Sequence, residues 1–187
     1  MRIKKMKQGL VYIFEGNGKG KTSAALGTAM RMLLLGKNVV WISWYKEKSW
    51  KMAEMSLSKK FKNNLEMYWK GNGFFGGPND HDTLDGHRKA AKSALLLAKN
   101  CLVKKEGGRG IKPDLLVLDE IIKAENDGLL KIEEILDLIK MRGGTHLLLT
   151  GHCASEKIIE AADLVTLMTK VKHPYDKGVL AVRGLDF

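Results

Sequence analysis

The chain has little cysteine, little proline and no long apolar run, and each shortage closes off a class of protein. Cys101 and Cys153 are too few and too far apart for a disulfide framework or a zinc site. Three prolines and no low-complexity segment argue against a disordered tail or linker. No segment approaches the ~20 apolar residues of a membrane span. The basic start, Met1 to Gln8, is followed by about six apolar residues before Glu15, short of the ~7–15 of a secretory signal core with its cleavage site. A cytoplasmic location with no membrane partner is therefore expected.

What is present suits one soluble globular domain, residues 1–187, with 44% apolar and 28% charged content. The formal net charge is +11, with lysines at Lys4, Lys5 and Lys7, across Lys46–Lys62 and around Lys104–Lys112. Such a surface attracts polyanions, either nucleic acid or a highly phosphorylated small ligand. It is also what an ordinary lysine-rich solvated surface looks like. No aromatic-interleaved RNA motif or zinc finger accompanies it, so charge alone does not predict a nucleic-acid partner.

The most informative segment is Glu15-Gly16-Asn17-Gly18-Lys19-Gly20-Lys21-Thr22. Before it, Gly9 to Phe14 is short, apolar and rich in β-branched and aromatic residues, the pattern of a buried strand. After it, Thr22 to Leu35 carries Ala25, Ala29 and Leu33 at helical spacing. A strand, a glycine-rich turn and a helix N-terminus gather backbone N–H groups around one anion, the arrangement of a phosphate-binding loop. In such a loop Lys21 extends to phosphate oxygens and the Thr22 hydroxyl ligates Mg²⁺. The usual pattern begins with glycine, and here that position is Glu15.

Strand and helix signals alternate along the rest of the chain. Strands are expected at Asn38–Trp44, Leu65–Trp69, Asp114–Asp119, His146–Thr150 and Leu164–Thr169, with helices at 82–103, 129–141 and 155–161. Residues 71–78 form a glycine-rich loop. This alternation predicts an α/β P-loop NTPase fold of the RecA-like kind, a parallel sheet with helices on both faces and ligands at the carboxyl ends of the strands.

Asp119 and Glu120 close the most apolar strand, where carboxylates opposite a phosphate loop hold Mg²⁺ directly or through water. The same pair would also serve as cap and first-turn acid of the next helix. Thr150-Gly151-His152 ends the next strand and could sense phosphate. Asp80, His81, Asp82, Asp85 and His87 are crowded together, but their spacing matches no standard zinc pattern.

These residues resemble the ATP:corrinoid adenosyltransferase family. The likeness starts with Gly16–Thr22, Ala24–Ala29 and Arg31, and continues through Lys46, Gly71-Asn72-Gly73-Phe74 and Leu118-Asp119-Glu120. It closes with Thr150-Gly151, Ala162-Asp163-Leu164-Val165-Thr166, Lys172 to Gly178 and Gly184-Leu185-Asp186-Phe187. The resemblance implies transfer of the 5′-deoxyadenosyl group of ATP to Co(I) of a reduced corrinoid, with triphosphate released. It implies ATP at Gly16, Asn17, Gly18, Lys19, Gly20, Lys21, Thr22, Ser23 and Arg31, and Mg²⁺ at Thr22, Asp119 and Glu120. Catalytic roles fall to Lys21 and Glu120, and the corrinoid contacts to Phe74, Phe75 and Lys46. An electron-donor protein and a homodimer are further implied. Co(I) is itself the nucleophile, so no serine, cysteine or histidine nucleophile is required.

The chain departs from the family pattern where Gly76 stands for a Trp, His152 for an Arg and Leu167 for a Glu. About eight residues precede the first strand, where longer members carry an N-terminal extension. Three other readings stay open on sequence: a RecA-like nucleic-acid-dependent ATPase, a nucleoside kinase, and a non-catalytic ATP- or corrinoid-binding module.

Overall fold

The computed structural model describes residues 8–103 and 111–186. Lys4, Lys5, Lys7, Lys104, Lys105 and Phe187 lie outside them. Six strands, β1 (Val11–Glu15), β2 (Val39–Ser43), β3 (Leu65–Trp69), β4 (Leu115–Asp119), β5 (His146–Gly151) and β6 (Leu164–Leu167), make one sheet in the order β3-β2-β4-β5-β1-β6. Every pairing is parallel. The helices are α1 (Lys21–Leu34), α2 (Leu57–Lys60), α3 (Leu84–Val103), α4 (Ile121–Asn126), α5 (Ile132–Met141) and α6 (Glu156–Glu160).

The central strands β2, β4 and β5 are apolar through their middles, with polar residues at their carboxyl ends, because both faces of the sheet are covered. Alternate residues divide between two cores. Leu115 and Val117 of β4 pack with Ala25, Ala29 and Leu33 of α1, while Leu116 and Leu118 pack with Leu95 and Ala98 of α3 and Leu138 of α5. The period of two in the strands and the i, i+4 stripe of α1 thus meet directly. Cys101 is fully buried in the α3 core, as its place beside the apolar stripe predicts. No helix among the described residues is long and apolar enough to cross a membrane.

Two boundaries differ from the sequence expectation. The chain helicalises directly after β4, as α4, because Asp127 and Gly128 (φ 69°) end that turn and a separate helix then starts at Ile132. The Glu134 carboxylate accepts the Lys131 N–H at 2.9 Å and marks that start. The strand β6 ends at Leu167 rather than Thr169, although the Met168 N–H still donates to Glu15 O at 2.7 Å.

The topology decides which loops share a rim. The chain leaves β1, passes over the positions later filled by β4 and β5 to form β2 and β3, and then returns. The carboxyl ends of β1, β2, β4 and β5 therefore lie side by side around the crevice where strand order reverses. Gly151 lets α4 close onto that rim: a Cβ there would lie 2.6 Å from Lys123 N and 2.7 Å from the Ile122 Cβ. Gly151→Ala should therefore cost roughly 1–3 kcal/mol through forced repacking, read as a lower melting temperature, and an unchanged melting temperature would show that this contact gives way freely.

Candidate active site

The phosphate-binding loop owes its shape to its neighbours as well as to its glycines. Gly16 and Gly20 have φ of 112° and 119°, backbone that side chains disfavour. A Cβ at Gly16 or Gly18 would lie 2.4 or 2.7 Å from Met168 O, because the residues following β6 run along the loop. The Gly18 N–H donates to that same carbonyl at 2.8 Å. Glu15, at the position where glycine is usual, accepts the Ala154 N–H at 2.7 Å and ties the loop to the turn after β5.

Lys21 is buried, and its ammonium donates to Gly16 O at 2.7 Å and Gly18 O at 2.9 Å. Burial lowers its pKa, against the pull of Glu120 and Asp119. Thr22 lies in the first turn of α1, and Ser23 is exposed beside it. Lys19 donates to Leu185 O at 3.3 Å and pairs with Asp186, so the C-terminal segment lies against the loop. The Asn17 Oδ1 faces Lys170 N at 3.4 Å. Arg31 is exposed in the last turn of α1, ~15 Å along the axis from the loop at 1.5 Å per residue. The fold does not bring it to the phosphate-binding loop.

Asp119 is completely buried and gathers groups from four elements. Its Oδ1 accepts from Thr22 Oγ1 at 3.1 Å and Thr150 Oγ1 at 3.0 Å. Its Oδ2 accepts from Ser43 Oγ at 3.0 Å and lies 3.2 Å from Lys46 Nζ. Lys46 also pairs with Glu54 at 3.0 Å. Burial alone would lower the Lys46 pKa, but Asp119 and Glu54 together raise it. Ser43 and Glu54 escaped the sequence reading. Ser43 carried only a weak signal, as the polar residue after an apolar run, and its register opposite Asp119 came with the fold; Glu54 carried none.

Glu120 sits before α4 with φ 65°, and its side chain makes no capping bond. Its N–H donates to Thr150 Oγ1 at 2.8 Å, while its buried Oε2 has no partner. The helix-cap role that the sequence allowed is not the one Glu120 plays. Burial first, and Asp119 second, push its pKa up to about 7. Thr22, Asp119 and Glu120 offer hard oxygen donors, the set that Mg²⁺ takes in company with phosphate oxygens and water. No group of three or more His, Cys, Asp or Glu arranged for a metal occurs among the described residues. His152 lies close enough to Lys21 and Lys123 that they assist burial in lowering its pKa.

A cavity of about 850 Å³ is lined both by Thr22, Ser23 and Glu120 and by the aromatic rings of Tyr45, Trp50 and Phe74. Phe74 is 48% exposed and stacks on Tyr45, centroids 5.7 Å apart. Phe75 turns the other way, packing on the core and edge-on to His87. The crowded acids and histidines fix this loop to α3. Asn72 donates to Asp82 at 2.7 Å, and Gly76 N and His87 Nε2 each lie 2.7 Å from Asp80. Chiefly the His87 bond draws Asp80 down to about 2.

Comparisons with known proteins agree with this geometry. The profile of a family described as ATP:corrinoid adenosyltransferase BtuR/CobO/CobP matches residues 7–187. The chain is 31% identical to the corrinoid adenosyltransferase CobA of Salmonella typhimurium over 97% of its length and 87% of that protein. It is 32% identical to a corrinoid adenosyltransferase of Pseudomonas aeruginosa, covering 97% of this chain and 85% of the relative. Among solved structures, a KaiC-like protein from Pyrococcus horikoshii superposes with a TM-score of 0.51 at 17% identity, over 88% of this chain and 74% of that one. That likeness concerns the fold, a RecA-like P-loop architecture.

The raised Glu120 pKa has a consequence for stability. The ordinary carboxylate value is 4.5 and the folded value about 7, so the folded state holds a proton that the unfolded chain releases. The penalty for ionising Glu120 is absent below the lower value, grows between the two and is full above the higher. Glu120→Gln should therefore raise the melting temperature at pH 8 in metal-free buffer, the gain in stability being at most ~3.5 kcal/mol at ~1.4 kcal/mol per unit. The gain should vanish toward pH 4.5; an equal gain at pH 5 and pH 8 would rule out the buried charge as its cause.

Proposed function

This chain belongs to the ATP:corrinoid adenosyltransferase family of transferases, and we propose that it moves the 5′-deoxyadenosyl group of ATP onto Co(I) of a reduced corrinoid. The cobalt electron pair attacks C5′ and becomes the Co–C bond. The C5′–O5′ bond breaks, O5′ departs with inorganic triphosphate, and cobalt becomes formally Co(III). The observation that supports this reading best is that one cavity is lined both by the start of the phosphate-binding helix with Glu120 and by a half-exposed phenylalanine on a glycine-rich loop.

The residues divide the work. Backbone N–H groups of Gly16–Thr22 receive the triphosphate, and Lys21 exchanges its bonds to the Gly16 and Gly18 carbonyls for phosphate oxygens. Lys19 adds a second cation once it leaves Asp186. Preorganised charge of this kind is stabilising where the departing triphosphate gathers negative charge. Mg²⁺ held by Thr22, Asp119 and Glu120 would neutralise part of that charge. Thr150 and Ser43 keep the Asp119 carboxylate fixed. Phe74 presses on the lower face of the corrin, displacing the axial ligand so that Co(II) accepts an electron more readily. That electron comes from a separate donor protein, and a second copy of the chain is the further partner implied.

Incubation with MgATP and chemically reduced corrinoid tests the reading, because a cobalt–carbon bond and triphosphate should appear together. ADP as the nucleotide product would instead favour the ATPase or kinase reading. Lys21→Ala should lower the adenosylation rate by roughly 10²–10³, the usual loss for one preorganised charge contact, and turnover near that of the unaltered chain would remove Lys21 from the chemistry. Phe74→Ala should slow adenosylation sharply when the assay starts from Co(II) and a mild reductant, and much less from preformed Co(I). Equal losses from both, with a large fall in melting temperature, would make Phe74 a packing residue.

A further inference from the structure

Phe74 occupies a position that its own loop cannot hold. Gly71, Gly73, Gly76 and Gly77 surround it and bring no side chains, and the ring is half exposed. Its ring neighbours are Tyr45, at 5.7 Å and 20°, and Trp50, at 5.4 Å and 44°. The two neighbours are anchored very differently. Tyr45 is buried, its hydroxyl donates to Asp127 at 2.5 Å, and Lys123 lies 5.2 Å from its ring centre. Trp50 belongs to the loop after β2, is only partly buried, and donates its backbone N–H to Glu47 O at 3.2 Å.

Trp50 and Phe74 also line two cavities at once. One is the 850 Å³ cavity that reaches Thr22 and Glu120; the other, about 520 Å³, is walled by Glu47, Gly73, Asn79 and His81. The pair of rings stands between them. A flat, largely apolar macrocycle entering the larger cavity would meet this partition, and the position of Phe74 depends on the indole beside it.

We propose that Trp50 is a positioning residue of the corrinoid half of the site, holding Phe74 where it can exclude the lower axial ligand of cobalt. The proposal rests on the adenosyltransferase reading and deepens it by naming a residue from a separate loop. The physics is a ring–ring contact, worth roughly a two- to tenfold change in an equilibrium. That equilibrium is between bound Co(II) corrinoid with its axial base on and bound corrinoid with the base off. Trp50 therefore acts before cobalt is reduced, and it does not act on ATP.

The test uses the full chain with MgATP and cob(II)alamin, observed by electron paramagnetic resonance. Nitrogen splitting from the axial base marks the base-on form, and its loss marks the base-off form. Tryptophan fluorescence quenching reports corrinoid binding independently. Trp50→Ala should shift the base-off to base-on ratio roughly two- to tenfold toward base-on, and Trp50→Phe should recover most of it. Melting temperature and ATP affinity should stay as in the unaltered chain. A ratio unchanged in Trp50→Ala overturns the proposal, and so does an unaltered chain that binds the corrinoid only base-on. Equal losses in both variants with a lower melting temperature overturn it too, leaving Trp50 a packing residue. Absence of corrinoid binding by the unaltered chain would bring down the adenosyltransferase reading itself, an outcome distinct from the other three.

Discussion

A buried carboxylate is stable only where its charge is fully answered, and the Asp119 side chain sets that demand for the whole site. Thr22 comes from α1, Ser43 from β2, Lys46 from the loop beyond it and Thr150 from β5, and all four converge on two oxygens. No two of these elements could shift independently without leaving charge unpaired in the interior. The position of α1, and with it of the phosphate-binding loop, is thus tied to the strands that form the rim. Trp41 extends the network by donating to Ser43 at 2.9 Å.

The rim joins two environments with opposite requirements. The phosphate side is built from backbone N–H groups, lysines and hydroxyls, which suit a polyanion. The other side is aromatic, on a loop made mostly of glycine, and suits a flat apolar ligand. Glu120 lines the same cavity with one buried oxygen unpaired. The C-terminal segment covers part of the same cavity through Leu185 and Asp186, against Lys19.

The strong positive charge takes a different meaning once the residues are placed. Of the lysines between residues 46 and 62, Lys48, Lys51, Lys59, Lys60 and Lys62 are exposed, whereas Lys46 turns inward to Asp119 and Glu54. A nucleic-acid-dependent motor would use such lysines as a track along the surface. Here the one drawn inward serves a buried carboxylate. The family profile spans residues 7–187, so these lysines belong to a transferase.

Local chemistry determined a good deal of this protein without reference to its fold. The apolar runs of β1, β4 and β5, the glycines of residues 16–20 and the i, i+4 stripe of α1 announce a strand, an anion-binding turn and a helix, because period and backbone freedom are properties of adjacent residues. Asp119 announces itself in the same way, closing an apolar strand. Tertiary structure alone decided the rest. Ser43 and Thr150 become partners of Asp119, and Glu54 of the Lys46 beside it, only after separate segments meet, and Glu15 proves useful only because Ala154 arrives beside it. Phe74 and Phe75 are adjacent and chemically alike, yet one faces the cavity and the other the core. Their different fates follow from Tyr45, Trp50 and His87, residues 12 to 29 positions away in sequence that only a folded chain brings within ring contact.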